Sequence, residues 1–217
     1  RFIKKIRHLC NKKNIVLIFD ECTSGFRQSF GGLHKFYKIS PDMAIFGKCL
    51  GNGYAISAVV GKKKIMDTSK NSFISSTFWS ERIGFVAALK TLEEMEKNKS
   101  WIIITKMGFY VRKQLKSLAK KHKIKIDIWG LPALTGYTIK SDYSNYYKTY
   151  ITQEMLKKGF LTGNCIYLSI SHKIKIIDKY FYELDKIFKK IKTCKTIIDI
   201  KNLLDGPQSQ KSFKRLN

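Results

Sequence analysis

Asn14-Ile15-Val16-Leu17-Ile18-Phe19-Asp20-Glu21 is an apolar run that ends in two carboxylates, and Cys22-Thr23-Ser24-Gly25-Phe26-Arg27 follows it as a turn. A second run, Pro41-Asp42-Met43-Ala44-Ile45-Phe46, leads into Gly47-Lys48-Cys49-Leu50-Gly51-Asn52-Gly53. Both runs are short and nearly free of polar residues. That is the pattern of strands in a mainly parallel sheet whose two faces are covered by helices. Ligands in open α/β sheets bind beyond the carboxyl ends of the strands. Asp20 and Lys48 each stand at such an end. Gly47 permits a sharp bend there, and Gly51 and Gly53 leave room around the amine.

Outward from these strands, the chain divides by pattern. Phe2, Ile3, Ile6, Leu9 and Cys10 recur at helical spacing, so residues 1–12 read as an amphipathic helix, with strands over 14–20 and 42–47. Residues 54–61 read as a third strand. Ile83, Val86, Ala87, Leu89, Leu92 and Met95 mark a helix with Ser80 as its expected N-cap. A second unit follows. It has a helix from Ile103 to Leu118, strands over 124–129 and 134–139, and a helix around 147–156 that Gly159 can end. A strand over 166–170 and a strong helical stripe from Ile176 to Ile191 complete it. The expected organisation is an α/β portion over residues 1–97, a small α+β domain over 98–192, and an extended surface tail over 193–217.

Composition narrows the class of function. The formal net charge is +26, but only six of the 42 basic residues are arginines and the lysines are scattered along every segment. A nucleic-acid surface concentrates charge on one face and draws on arginine for bidentate contacts, so this spread reads as a coding bias with no nucleic-acid partner. Five cysteines, odd in number and without a CxxC pair, read as reduced thiols of a cytoplasmic protein, with neither a disulfide framework nor a metal site. No apolar run approaches the roughly 20 residues of a membrane-spanning helix. The chain opens on Arg1, inside a helical pattern, which reads as the start of a fragment.

A buried strand delivering a carboxylate, beside one delivering a lysine into a glycine-rich turn, suits pyridoxal 5'-phosphate. The lysine would hold the cofactor aldehyde as a Schiff base, and the carboxylate would keep the pyridine nitrogen protonated. Taken singly, Asp20 reads as a turn former and Lys48 as a solvated surface group. Their joint setting is what favours chemistry. Residues 17–27, 41–53 and 75–94 resemble class III aminotransferases of fold type I, among them the glutamate-1-semialdehyde 2,1-aminomutase group. The likeness extends to Gln153-Glu154-Met155-Leu156-Lys157-Lys158-Gly159, to Gly206-Pro207, and to Ser212-Phe213-Lys214-Arg215-Leu216.

The resemblance implies the C-terminal part of a fold-type I large domain, mainly parallel in its sheet, followed by a small α+β domain. It assigns the covalent cofactor link to Lys48 and the pyridinium contact to Asp20. Cys22 falls where the family usually packs an apolar residue on the ring face. Ser76 and Thr77 match the position that reaches the cofactor phosphate of a neighbouring subunit, which implies a homodimer. Read without the family, they form a Ser/Thr turn before a helix. The substrates implied are small amines and carbonyl compounds. The phosphate-gripping loop and ring-stacking aromatic of the same subunit have no match here, so this chain alone is expected to be inactive. No arginine occurs between Arg112 and Arg215, so the late carboxylate-binding arginine of many relatives is absent. A sugar or other carbonyl-metabolite aminotransferase, and a non-catalytic fragment that keeps the fold, are the competing readings. His34 and His172 read as ordinary hydrogen-bonded histidines.

Overall fold

A computed structural model describes residues 2–210; the Ser212 to Leu216 stretch lies outside the described residues. The chain forms two compact units that divide between Ile103 and Ile104, inside a helix and a little beyond residue 97.

The first unit opens with α1 (Phe2–Lys12) and holds the strands β1 (Ile18–Asp20), β2 (Met43–Phe46) and β3 (Ala58–Gly61) in that spatial order. Strand β1 is shorter than the apolar run that contains it. Asn14 takes a left-handed turn at φ 53°, and the Leu17 N–H donates to the Asp42 carboxylate at 2.8 Å. A side chain thus takes the place of a ladder partner. Strands β1 and β2 are parallel and pair Asp20 with Ile45. Strands β2 and β3 are antiparallel, so this part of the sheet is mixed. The link between them contains only a 3-10 turn over Lys48–Leu50, and a parallel return would need a longer crossover.

Short helices α2 (Leu33–Tyr37) and α3 (Lys63–Met66), a 3-10 turn over Asp67–Asn71, and the long α4 (Arg82–Asn98) complete the unit. The N-cap of α4 is Glu81 rather than Ser80, and it makes no side-chain capping bond. The core is small: Phe26, Ala44, Phe46, Leu50 and Ala88, with Leu92 and Met95 packed at its edge. Ile83, Val86 and Leu89, part of the apolar stripe of α4, lie in solvent instead.

The second unit is built on α5 (Ser100–His122), β4 (Ile126–Trp129), β5 (Leu134–Ile139), α6 (Ser144–Lys157), β6 (Cys165–Tyr167) and α7 (Ile174–Thr193). Its three strands are antiparallel throughout. Leu115, Met155, Leu184 and Phe188 are fully enclosed between helices and sheet. Gly159 ends α6 at φ 80°, as its place after the helix requires. The stretch after Thr193 is not wholly extended. Helix α8 (Ile197–Lys201) starts at a Thr196–Asp199 capping box and buries Ile200 in the same core. Among the described residues, no helix is long and apolar enough to cross a membrane.

Candidate active site

Because β1 and β2 are parallel neighbours, both chains leave the sheet at the same end. Asp20 is the last residue of β1, and Lys48 lies just past β2. Between residues 20 and 25 the backbone makes a tight turn. The Cys22 N–H donates to the Asp20 carboxylate at 3.0 Å, the Gly25 N–H to the Glu21 carbonyl at 2.8 Å, and the Glu21 N–H to the Ile45 carbonyl at 2.8 Å. The last of these fastens the turn to β2.

Glu21 holds the turn from inside. Its buried carboxylate accepts the Ser24 hydroxyl at 2.5 Å and the His34 N–H at 3.0 Å, and it lies 3.1 Å from His34 Nδ1. Burial alone would raise its carboxyl, but the Ser24 hydroxyl and the Leu33 and His34 N–H groups outweigh burial and keep it low. His34 is thereby the hydrogen-bonded histidine expected. His172 is another, with its ring against the Ser169 N–H and hydroxyl.

The Lys48 amine donates to the Thr23 hydroxyl at 2.9 Å across this turn. Lys48 also has its backbone in the left-handed region, at φ 42°. A β-carbon there costs roughly 1–2 kcal/mol, a strain that accumulates at functional sites. Gly51 contributes to the turn in a different way from the one anticipated. A Cβ there would lie 2.1 Å from the Tyr54 carbonyl oxygen, so its glycine closes the 51–54 turn rather than clearing space for the amine.

Two electrostatic features matter for chemistry. The Cys22 N–H foremost, then the Cys22 thiol, and the Lys48 charge hold the Asp20 carboxyl below its ordinary range. Asp20 is therefore an anion at neutral pH. Burial, then the Asp20 carboxylate, push the Cys22 thiol up, so it is a neutral packing group. An amine that makes no ion pair among the described residues, an ionised carboxylate and a neutral thiol on adjoining turns fit an aldehyde-bearing pyridinium cofactor. Among the described residues no cluster could hold a metal ion.

Ser76 and Thr77 stand apart. They are exposed in the irregular stretch before α4, and no hydrogen bond links them to Asp20, Cys22 or Lys48. Thr23 is the contact that sequence reading missed. Its only advance signal was its place inside the turn after Asp20.

An amine and an anionic carboxylate thus stand together at the carboxyl ends of parallel strands on an α/β scaffold. Residues 1–198 match the family described as aminotransferase class-III, and the chain belongs to that family. It is 35% identical over 153 residues to 3-aminobutyryl-CoA aminotransferase of Cloacimonas acidaminovorans, covering 70% of this chain and 37% of that one. It is 31% identical to glutamate-1-semialdehyde 2,1-aminomutase of Wigglesworthia glossinidia brevipalpis, covering 88% of this chain and 48% of that one. The chain thus spans about half the length, or less, of these relatives. The FumI protein of Sphingopyxis sp. MTA144, in its PLP internal aldimine form, superposes with a TM-score of 0.79 at 23% identity over 85% of this chain and 45% of that one. Ornithine delta-aminotransferase of Plasmodium falciparum gives 0.76 at 21% identity, over 87% and 50%. At such identities the likeness establishes a shared fold.

Proposed function

We propose that this chain carries the lysine and aspartate of a pyridoxal 5'-phosphate-dependent aminotransferase or aminomutase acting on small amines and carbonyl compounds. The observation that carries the reading is the Lys48 amine, 2.9 Å from Thr23, on the turn that Asp20 opens. When bound, the cofactor supplies an electron sink for the negative charge left when a substrate loses its α-proton. Lys48 would hold the aldehyde carbon, and its amine, when free, would serve as the base that carries the α-proton. Asp20 would keep the ring nitrogen protonated, and the neutral Cys22 thiol would offer a packing surface for the ring.

Both named relatives move an amino group, one between molecules and one within a carbon skeleton, and that shared step is the one proposed. In this reading residues 1–97 belong to the cofactor-binding large domain and residues 98–192 to the small domain, with α8 added to its core. The protein works as a homodimer in which Ser76 and Thr77 reach the partner's cofactor phosphate. Their exposure, and the lack of any side-chain hydrogen bond to them among the described residues, support that role. The five unpaired cysteines support a reducing, cytoplasmic setting.

The test is amino transfer from a panel of amines by the whole protein, loaded with pyridoxal 5'-phosphate, against its Lys48→Ala variant. The variant should retain no more than about a thousandth of wild-type turnover, since proton transfer and covalent attachment both depend on the amine. Undiminished turnover in Lys48→Ala would end the reading.

A further inference from the structure

Among the described residues Thr23 makes the single hydrogen bond of the Lys48 amine, and nearly everything around Thr23 is fixed. Cys22 is tied to Asp20, and Ser24 is tied to the buried Glu21 carboxylate. Gly25 is tied to the Glu21 carbonyl, and Glu21 itself to Ile45 of β2. The hydroxyl therefore sits at a set place on a turn that cannot easily shift. A lysine side chain by contrast has many rotamers open to it, and an exposed one has no reason to point in one direction. The Lys48 backbone, held at φ 42°, aims the stem, and the Thr23 hydroxyl catches its end.

We infer that Thr23 is a positioning residue, a rest for the Lys48 amine during the part of the cycle in which that amine is not covalently occupied. This rests on the reading of Lys48 given above. In that interval the amine must remain beside the site as a proton carrier, and a free lysine would spend most of its time elsewhere. Misplacement of a reacting group by about 1 Å costs on the order of a hundredfold in rate, so a fixed acceptor for the amine has a direct kinetic value. A hydroxyl suits the task because it accepts a hydrogen bond without carrying charge. A carboxylate at the same place would hold the amine as a tight ion pair and oppose both its release and its proton transfer.

The proposal is tested on the whole protein with Thr23→Val, which keeps shape and removes the acceptor, and Thr23→Ser, which keeps the acceptor. The first readout needs no turnover: competitive acetylation of the cofactor-free protein by trace acetic anhydride, with the extent at each lysine read by mass spectrometry. Without its acceptor the amine is less protected, so Lys48 in Thr23→Val should be acetylated about three- to tenfold faster than in wild type. Other lysines should be unchanged, and Thr23→Ser should restore the wild-type rate. The second readout is a fall of about tenfold in kcat with KM little altered, again restored by serine. If the unfolding temperature of Thr23→Val is lowered, Thr23→Ala replaces it in both measurements. Unaltered Lys48 acetylation in the valine or alanine variant would overturn the role of Thr23, while leaving the assignment of Lys48 intact. Persistent amino transfer in Lys48→Ala would instead overturn the reading on which it rests.

Discussion

The placement of Asp20 and Lys48 at strand ends was legible in the sequence because each follows a short apolar run. The contact that fixes the amine was not. Thr23 and Lys48 are far apart in sequence, and no periodicity reports where a long side chain ends. The left-handed backbone of Lys48 was equally hidden, since it follows from how β2 leaves the sheet. Asp20→Asn should keep the fold and bind cofactor but lose turnover on the order of a hundredfold, because a neutral amide no longer holds the ring proton. Steady-state rates and cofactor absorbance on the same sample check it, and near-native turnover with normal binding would contradict it. The pH sign also follows. The Asp20 carboxyl lies below its ordinary value. Its protonation should therefore impose no acid limb on kcat above about pH 4, the ordinary carboxylate range.

Asp42 does for the first unit's elements what Glu21 does for the turn. Its carboxylate accepts from Arg7 of α1 at 2.7 Å, from the Leu17 N–H before β1 at 2.8 Å, and from Lys62 after β3 at 2.7 Å. The Leu17 N–H foremost, then Lys62 and Arg7, hold this carboxyl well below the usual range. A carboxyl depressed in the folded state contributes stability that is complete above its unfolded pKa of about 3.9 and is lost as pH falls beneath it. Asp42→Asn should therefore cost about 2 kcal/mol at pH 7, and the gap from wild type should close as pH drops below 4. Denaturant melts at several pH values measure this, and a gap independent of pH would contradict it. Most helices and the first unit's strands were legible as elements from their periodicity. The direction of β3 was not, because an apolar run carries no sign of its polarity. Helix α8 is too short to show a stripe, although its Thr196-Ile197-Ile198-Asp199 start is a capping signal.

At the scale of the molecule, the first unit exposes several large apolar side chains. Phe73 and Ile74 are exposed, as are Phe78, Trp79, Val86 and Leu89. The stretch includes Ser76 and Thr77, which the proposed function assigns to the cofactor phosphate of a partner subunit. Thr77→Ala should leave the light-scattering mass of the whole protein at that of a dimer while weakening cofactor retention several-fold on dialysis. A fully active monomer would refute the arrangement. The α/β class was readable from two strands and a long helix, whereas the exposure of half the α4 stripe was not, since a sequence shows that a face is apolar and not what covers it. The role of Lys48 can be read at one atom. Borohydride reduction of the whole protein loaded with pyridoxal 5'-phosphate, followed by peptide mapping, should place the pyridoxyl group on Lys48; its recovery on any other lysine would contradict the account.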